Sequence, residues 1–154
     1  MATAESKAVL TSFVEEVINQ GRLERTDNLV AVNFVELYPL PGQQQGREGL
    51  NDVISAFWTA FPDIHWVIEE MVAEGDHVFS RFTWQGTHRG EFLCVPASGK
   101  QISVKGMVVD RVVGDKMVDS RILMDSLSMM RQLGLFPLRR RPNPRAISLR
   151  IMHA

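Results

Sequence analysis

Apolar residues in the first part of the chain recur every three or four positions. Val9, Leu10, Phe13, Val14, Val17 and Ile18 fall on one stripe, which predicts a helix over about residues 4–20, stopped by Gly21. Asp27 stands as the N-cap of a second, short helix running through about Val32. The segment YPLPGQQQG is a loop set by its prolines and glycines. Leu50, Val53, Ile54, Phe57, Trp58 and Phe61 then form a second strong helical stripe, closed by Pro62.

The period changes from residue 64. IHWVIEEMV, HVFSRFTWQGTH, KQISVKGMVVDRVV and KMVDSRILMD are rich in β-branched and aromatic residues, and EGD, PASG and VGD separate them as turns. These are strands able to pair as antiparallel neighbours. DSLSMMRQLG is a short final helix ended by Gly134. Helices followed by a run of strands imply an α+β fold, with the N-terminal helices packed over one face of a curved antiparallel sheet. A curved sheet covered in this way forms a cone, and a cone can hold a ligand cavity.

A length of 154 residues fits one domain, assigned to residues 1–137. Residues 138–154 form a basic extension with five Arg and no Asp or Glu. The formal net charge of −1 therefore leaves −6 on the rest of the chain. Such a balance attracts neither nucleic acid nor a membrane surface. Cys94 is the one cysteine, which removes an intramolecular disulfide and a Cys-based metal cluster. The start of the chain, MATAESKAVL, lacks the pattern of a signal peptide, and no apolar run reaches the roughly 20 residues of a membrane span. A cytoplasmic location is the expectation.

Asp125 draws attention because ILMDSLSMM surrounds a carboxylate with apolar side chains. Two readings stand together: the N-cap of the final helix, and a general base whose pKa a desolvating cavity would raise. Arg121 lies four residues earlier on the same strand, hence on the same face. It can pair with Asp125, bind an oxyanion of a ligand, or sit at a sheet edge. His88, in WQGTHRGEF, is either a proton shuttle at a cavity mouth or a turn histidine bonded to backbone. Asp110 and Arg111 interrupt the apolar run MVVDRVV, and the favoured expectation is a twisted strand end where both reach solvent. Trp58, Trp66, Trp84 and Tyr38 are either a pocket wall for a flat ligand or core. His spacing offers no zinc site, and no metal is expected.

The stretches AFPDIHWVIEEMVAEGDHVFSRF, GTHRGEFLCVPASGKQISVKG and the ending MDSLSMMRQLG resemble the SnoaL-like polyketide cyclases of the nuclear-transport-factor-2-like (NTF2-like) superfamily, from about Phe34 to Gly134. The resemblance implies a cone-shaped α+β barrel, a homodimer through the outer face of the sheet, a polyketide-like substrate, and no metal or organic cofactor. It also implies that Asp125, ahead of the QLG helix, is the acid/base of an intramolecular aldol ring closure, with His88 near the cavity. Arg121 or His88 would then stabilise the developing oxyanion. The chain departs from the family pattern at three places. Asp119-Ser120-Arg121 stands for Glu-x-Trp, Glu36-Leu37 for a His-containing pair, and Cys94-Val95 where a second Gly is usual. Two rivals use the same fold. One is an epoxide-hydrolase-like or hydroxylation-related enzyme, in which Arg121, Asp125 and Asp110 activate water. The other is a non-catalytic binding module, with a cavity that is filled or does not reach Asp125.

Overall fold

The computed structural model describes residues 3–136; the basic extension expected at 138–154 lies outside them. Helix α1 (Thr3–Ser12) continues without a break into a π-helical segment, Phe13–Asn19. A 3-10 turn, Leu23–Arg25, leads into the one-turn helix α2 (Thr26–Leu29). Strand β1 (Val30–Glu36), helix α3 (Gly46–Ala60), strands β2 (His65–Glu74), β3 (His77–Thr87), β4 (Gln101–Val113) and β5 (Lys116–Met124), and helix α4 (Ser126–Gln132) complete the order. The expected α+β class and the curved sheet under helices are what the structure has. The sheet stays open rather than closing into a barrel, with strand order β1-β5-β4-β3-β2.

Two expectations change near residue 30. Asp27 lies inside α2 rather than capping it, and Val30–Glu36 is a strand, not the end of a helix. Val30, Phe34 and Glu36 are its buried positions, so the segment alternates in the manner of a strand. β1 pairs in parallel with β5, while the other three pairings are antiparallel. The sheet is therefore mixed.

Side-chain amides finish two of the places where strand pairing stops. β2 is an edge strand, and Asn19 bonds both backbone groups of Trp66 on that edge. Its Nδ2 donates to the Trp66 carbonyl at 2.9 Å, and its Oδ1 accepts the Trp66 N–H at 2.7 Å. The π-helical widening places Asn19 there while turning Phe13, Val14 and Ile18 toward the sheet. At the other place β5 ends opposite Gly106, and β4 runs on without it. Gln132 of α4 takes over, accepting the Ser103 N–H and donating to the Ser103 carbonyl, each at 2.8 Å.

The motif residues that carry the resemblance have comparable structural work. Asp63 of FPD accepts both the Thr87 N–H and the Thr87 hydroxyl, each at 2.7 Å, joining the end of α3 to the end of β3. The core lies between α1, α3 and the sheet. Trp84 is fully buried there, edge-on to Phe57 at 5.5 Å and to Phe61 at 5.0 Å, and Trp66 stacks on Phe82 at 4.0 Å.

Replacing Asn19 by Ala strips two partners from a partly buried strand edge. The expected cost is about 1–3 kcal/mol, read as a lower thermal midpoint with the sheet otherwise retained.

Candidate active site

The concave face of the sheet and the helices above it enclose a cavity of about 290 Å³. Its wall is mainly Phe13, Phe34, Ile54, Phe57, Trp58, Ile64, Trp66, Val108 and Met124, with Tyr38, Leu40 and Gln43 contributed by the loop after β1. Trp58 is fixed by an indole N–H bond to the Ile18 carbonyl at 3.0 Å, and its ring lies on Gly21. Gly21 has φ +69°, and a Cβ there would meet the ring at 3.1 Å, so both backbone and space require glycine.

One end of the cavity is polar. Glu36, Ser120 and Asp110 stand side by side on three adjacent strands: Glu36 pairs with Ser120 across β1 and β5, and Ser120 with Asp110 across β5 and β4. All three side chains line the cavity and are buried, and Ser80 of β3 joins them. Among the described residues, no Lys, Arg or His lines this cavity.

Asp110 is 2% exposed, and its Oδ1 has no hydrogen-bond partner. Burial pushes its carboxyl up to about 7, helped by the charges of Glu36 and Asp119, while the neighbouring Ser120 hydroxyl pulls the other way. Burial also raises the Glu36 carboxyl, against the backbone N–H groups of Tyr38, Ile122 and Leu37. The Tyr38 N–H reaches Glu36 Oε1 at 3.1 Å. A carboxyl that titrates near neutrality can both give and take a proton under working conditions.

The residues expected at the site divide sharply. Trp58, Trp66, Tyr38 and Asp110 line the cavity. The solvent-exposed strand end expected for Asp110 is corrected: only Arg111 turns outward, where it bonds Asp119 Oδ2 at 2.6 Å. Trp84 belongs to the core beneath and does not line the cavity. Arg121 and Asp125 do share a face, as their spacing requires, but it is the opposite one, and both are exposed. Asp125 is the N-cap of α4, its Oδ1 accepting the Ser128 N–H at 3.0 Å. It makes no part of the cavity wall, nor does Arg121. Alternation explains this: Ser120, Ile122 and Met124 turn to the cavity, so Arg121 and Asp125 turn away from it. The expected Arg121, Asp125 and Asp110 set is therefore not brought together.

His88 is fully buried away from the cavity. Its Nδ1 accepts the Ser98 N–H at 3.1 Å and lies 2.9 Å from the Ser98 hydroxyl, and its ring packs 5.4 Å from Phe61. It pins the loop between β3 and β4. Within that loop Leu93 and Cys94 adopt φ of 48° and 64°, left-handed values that glycine tolerates better. They occupy the tight turn between Phe92 and Val95, where the resemblance leads one to expect a second glycine.

Comparison with known proteins agrees with this architecture. The sequence profile of the SnoaL-like polyketide cyclases matches residues 8–133, and the chain belongs to that family. Among similar solved structures is TsrD from Streptomyces laurentii, 25% identical, with a TM-score of 0.81 over 88% of this chain and 99% of that one. IdmH from Streptomyces antibioticus, a proposed polyketide cyclase, is 27% identical, with a TM-score of 0.74 over 84% and 98%. A proposed polyketide cyclase from Acidithiobacillus ferrooxidans is 28% identical, with a TM-score of 0.76 over 88% and 99%. No curated protein matches the sequence. Family and neighbours together support a cyclase-like enzymatic role. No helix among the described residues is long and apolar enough to cross a membrane.

Glu36 and Ser120 are the site residues that sequence reasoning passed over, although Glu36 belongs to a pair that departs from the pattern of the resemblance and Ser120 lies between two residues that do. For Asp110 a signal existed. Gln101, Ser103, Lys105 and Arg111 mark one face of β4 as polar, which leaves Ile102, Val104, Val108 and Asp110 facing in.

A buried carboxyl with a raised pKa binds its proton more tightly in the folded state. Stability should therefore fall as pH rises from about 4 to about 7 and level off above. Asp110→Asn removes this dependence, so the variant should exceed wild type in stability at pH 8 and lose that advantage at pH 4, measured by denaturant unfolding. Asp125→Ala, which removes a cap, should cost about 1 kcal/mol, while Asp125→Asn, which keeps one, should cost little.

Proposed function

We infer that this protein is a cofactor-independent cyclase that closes a ring in a polyketide-like substrate by intramolecular aldol condensation, with Asp110 as the carboxyl that carries the proton. The observation behind this reading is the fully buried Asp110, with one unpartnered oxygen, at the polar end of an otherwise apolar, aromatic-walled cavity.

The chemistry follows from that environment. An aldol closure converts a ketone oxygen into an alkoxide. No basic side chain among the described residues lines the cavity to hold that charge. A carboxylic acid kept protonated near neutrality can donate its proton to the oxygen as the charge develops. The aromatic walls fold a flexible chain so that its reacting carbons meet, and proximity of this kind contributes several kcal/mol, at least about 7 in well-oriented cases. An enolate flanked by two carbonyls is delocalised, so the reaction places a modest demand on the protein. Asp110 takes over the role expected for Asp125, because strand alternation sends Asp125 to the outer face. The water-activating reading loses its arginine and second aspartate to that same face. The non-catalytic reading expected a cavity that is filled or out of reach of Asp125. The cavity does not reach Asp125, but it is open and ends on Asp110. The reading includes a homodimer, supported by Val72, Met107 and Leu123, which are exposed along the strands.

The test uses an anthraquinone-type β-keto methyl ester, with ring closure followed by chromatography. Wild type should turn it over, Asp110→Asn should lose at least a hundredfold, and Asp125→Asn should stay within a few-fold of wild type. The rate should fall above about pH 7 as Asp110 ionises. Equal turnover by wild type and Asp110→Asn would remove Asp110 from the chemistry.

A further inference from the structure

Asp110 as acid leaves one step without an agent: something must first take the proton from carbon. We propose that Glu36 is that base, so that the site works as a carboxyl pair with Ser120 between its members. This rests on the carbon-acid reading above and assigns it a second catalytic residue.

The placement is fixed by register. Glu36 pairs with Ser120, and Ser120 with Asp110, so the two carboxyl-bearing residues are two strand spacings apart, roughly 10 Å between their backbones. Both side chains line the same cavity and are buried. A substrate carbon and a substrate oxygen can thus lie between them, each facing its own carboxyl.

Their surroundings divide the labour. Burial raises the Glu36 carboxyl, but its backbone donors, the Tyr38 N–H at 3.1 Å among them, favour the charged form and work against that rise. Asp110 has an unpartnered oxygen and no cation beside it in the cavity lining; its neighbour in sequence, Arg111, is engaged by Asp119. Two like charges facing one small cavity do not both ionise readily, so the first proton stays with the member that has less support. That leaves Glu36 as carboxylate and Asp110 as acid.

The cycle balances without a co-reactant. The Glu36 carboxylate takes the C–H proton, leaving the electron pair in the enolate. The enolate carbon attacks the ketone carbon; the new C–C bond forms as the C=O π pair moves to oxygen, and that oxygen takes the Asp110 proton. Glu36 is now protonated and Asp110 ionised. The Ser120 hydroxyl, adjacent to both in register, passes the proton from Glu36 back to Asp110.

A β-keto ester that lacks an acceptor ketone separates the two roles, because it can lose its C–H proton but cannot close a ring. The probe is methyl benzoylacetate in D2O, with deuterium uptake at the acidic carbon followed by NMR. Wild type should accelerate uptake above the buffer rate. Glu36→Gln should lose at least thirtyfold, Glu36→Asp should recover part of it, and Asp110→Asn should stay within tenfold of wild type while failing to close rings. Uptake lost in Asp110→Asn and kept in Glu36→Gln would overturn the assignment of Glu36 while leaving the cyclase reading in place. No acceleration by wild type would instead sink the carbon-acid reading and this proposal with it. A second readout needs no substrate. The 13C carboxyl titration of Asp110 should move to lower pH in Glu36→Gln, and an unchanged midpoint would show that the two groups do not face each other.

Discussion

An open sheet with a hollow on one side needs something to hold its rim, and here that is the pair of hydrogen bonds between Asn19 and the backbone of Trp66. β2 has no further strand to pair with, so its outward N–H and C=O groups would otherwise be left to water or to another chain. Asn19 satisfies one residue's worth of them and anchors the π-helical segment against the hollow it helps to line. From that anchor follow the inward aim of Phe13 and Ile18, the seat of the Trp58 indole on the Ile18 carbonyl, and the space that remains in between. A regular α-helix would present these residues with different spacing, since a π turn takes more residues per turn.

The elements were legible where one period dominated. α3 and strands β2 to β5 stand close to where their apolar patterns put them, and the final helix ends at Gln132, which holds Ser103, with Gly134 at φ 86° just beyond it. β1 was hidden because it follows directly on a helical turn and is only seven residues long, with Val32 and Val35 exposed. A short strand at a sheet edge carries little burial signal of its own, and its partner lies far along the chain.

The site was less legible than the fold, for a reason visible in the motifs. FPD, GTH and QLG, which carry the family resemblance, turn out to be joints. Asp63 holds Thr87, His88 holds Ser98, and Gln132 holds Ser103. The cavity carboxyls lie outside all of them. Asp125 attracted attention through its apolar neighbours in sequence, but a strand sends sequence neighbours to opposite faces, so apolar company along the chain is not apolar company in space. Asp110 had the stronger claim once the phase of β4 was counted. Its burial without a counter-charge is costly, and the T-shaped aromatic packing around Trp84 and the tied rim are what the rest of the molecule sets against that cost.

The parallel pairing of β1 with β5 also governs when the site can exist. Val30 meets Met117 and Glu36 meets Ser120, so the first strand of the chain waits for the last. The hairpins β2–β3 and β4–β5 can zip up from their own tight turns and join through the loop between Thr87 and Gln101, whereas β1 must close a loop spanning most of the domain. Until it does, Glu36 is in water and the cavity lacks the wall that β1 brings. A chain still emerging from synthesis, or one cut before β5, would hold the aromatic lining and no complete polar end. Assembly of the polar row is thus tied to the completion of the fold itself.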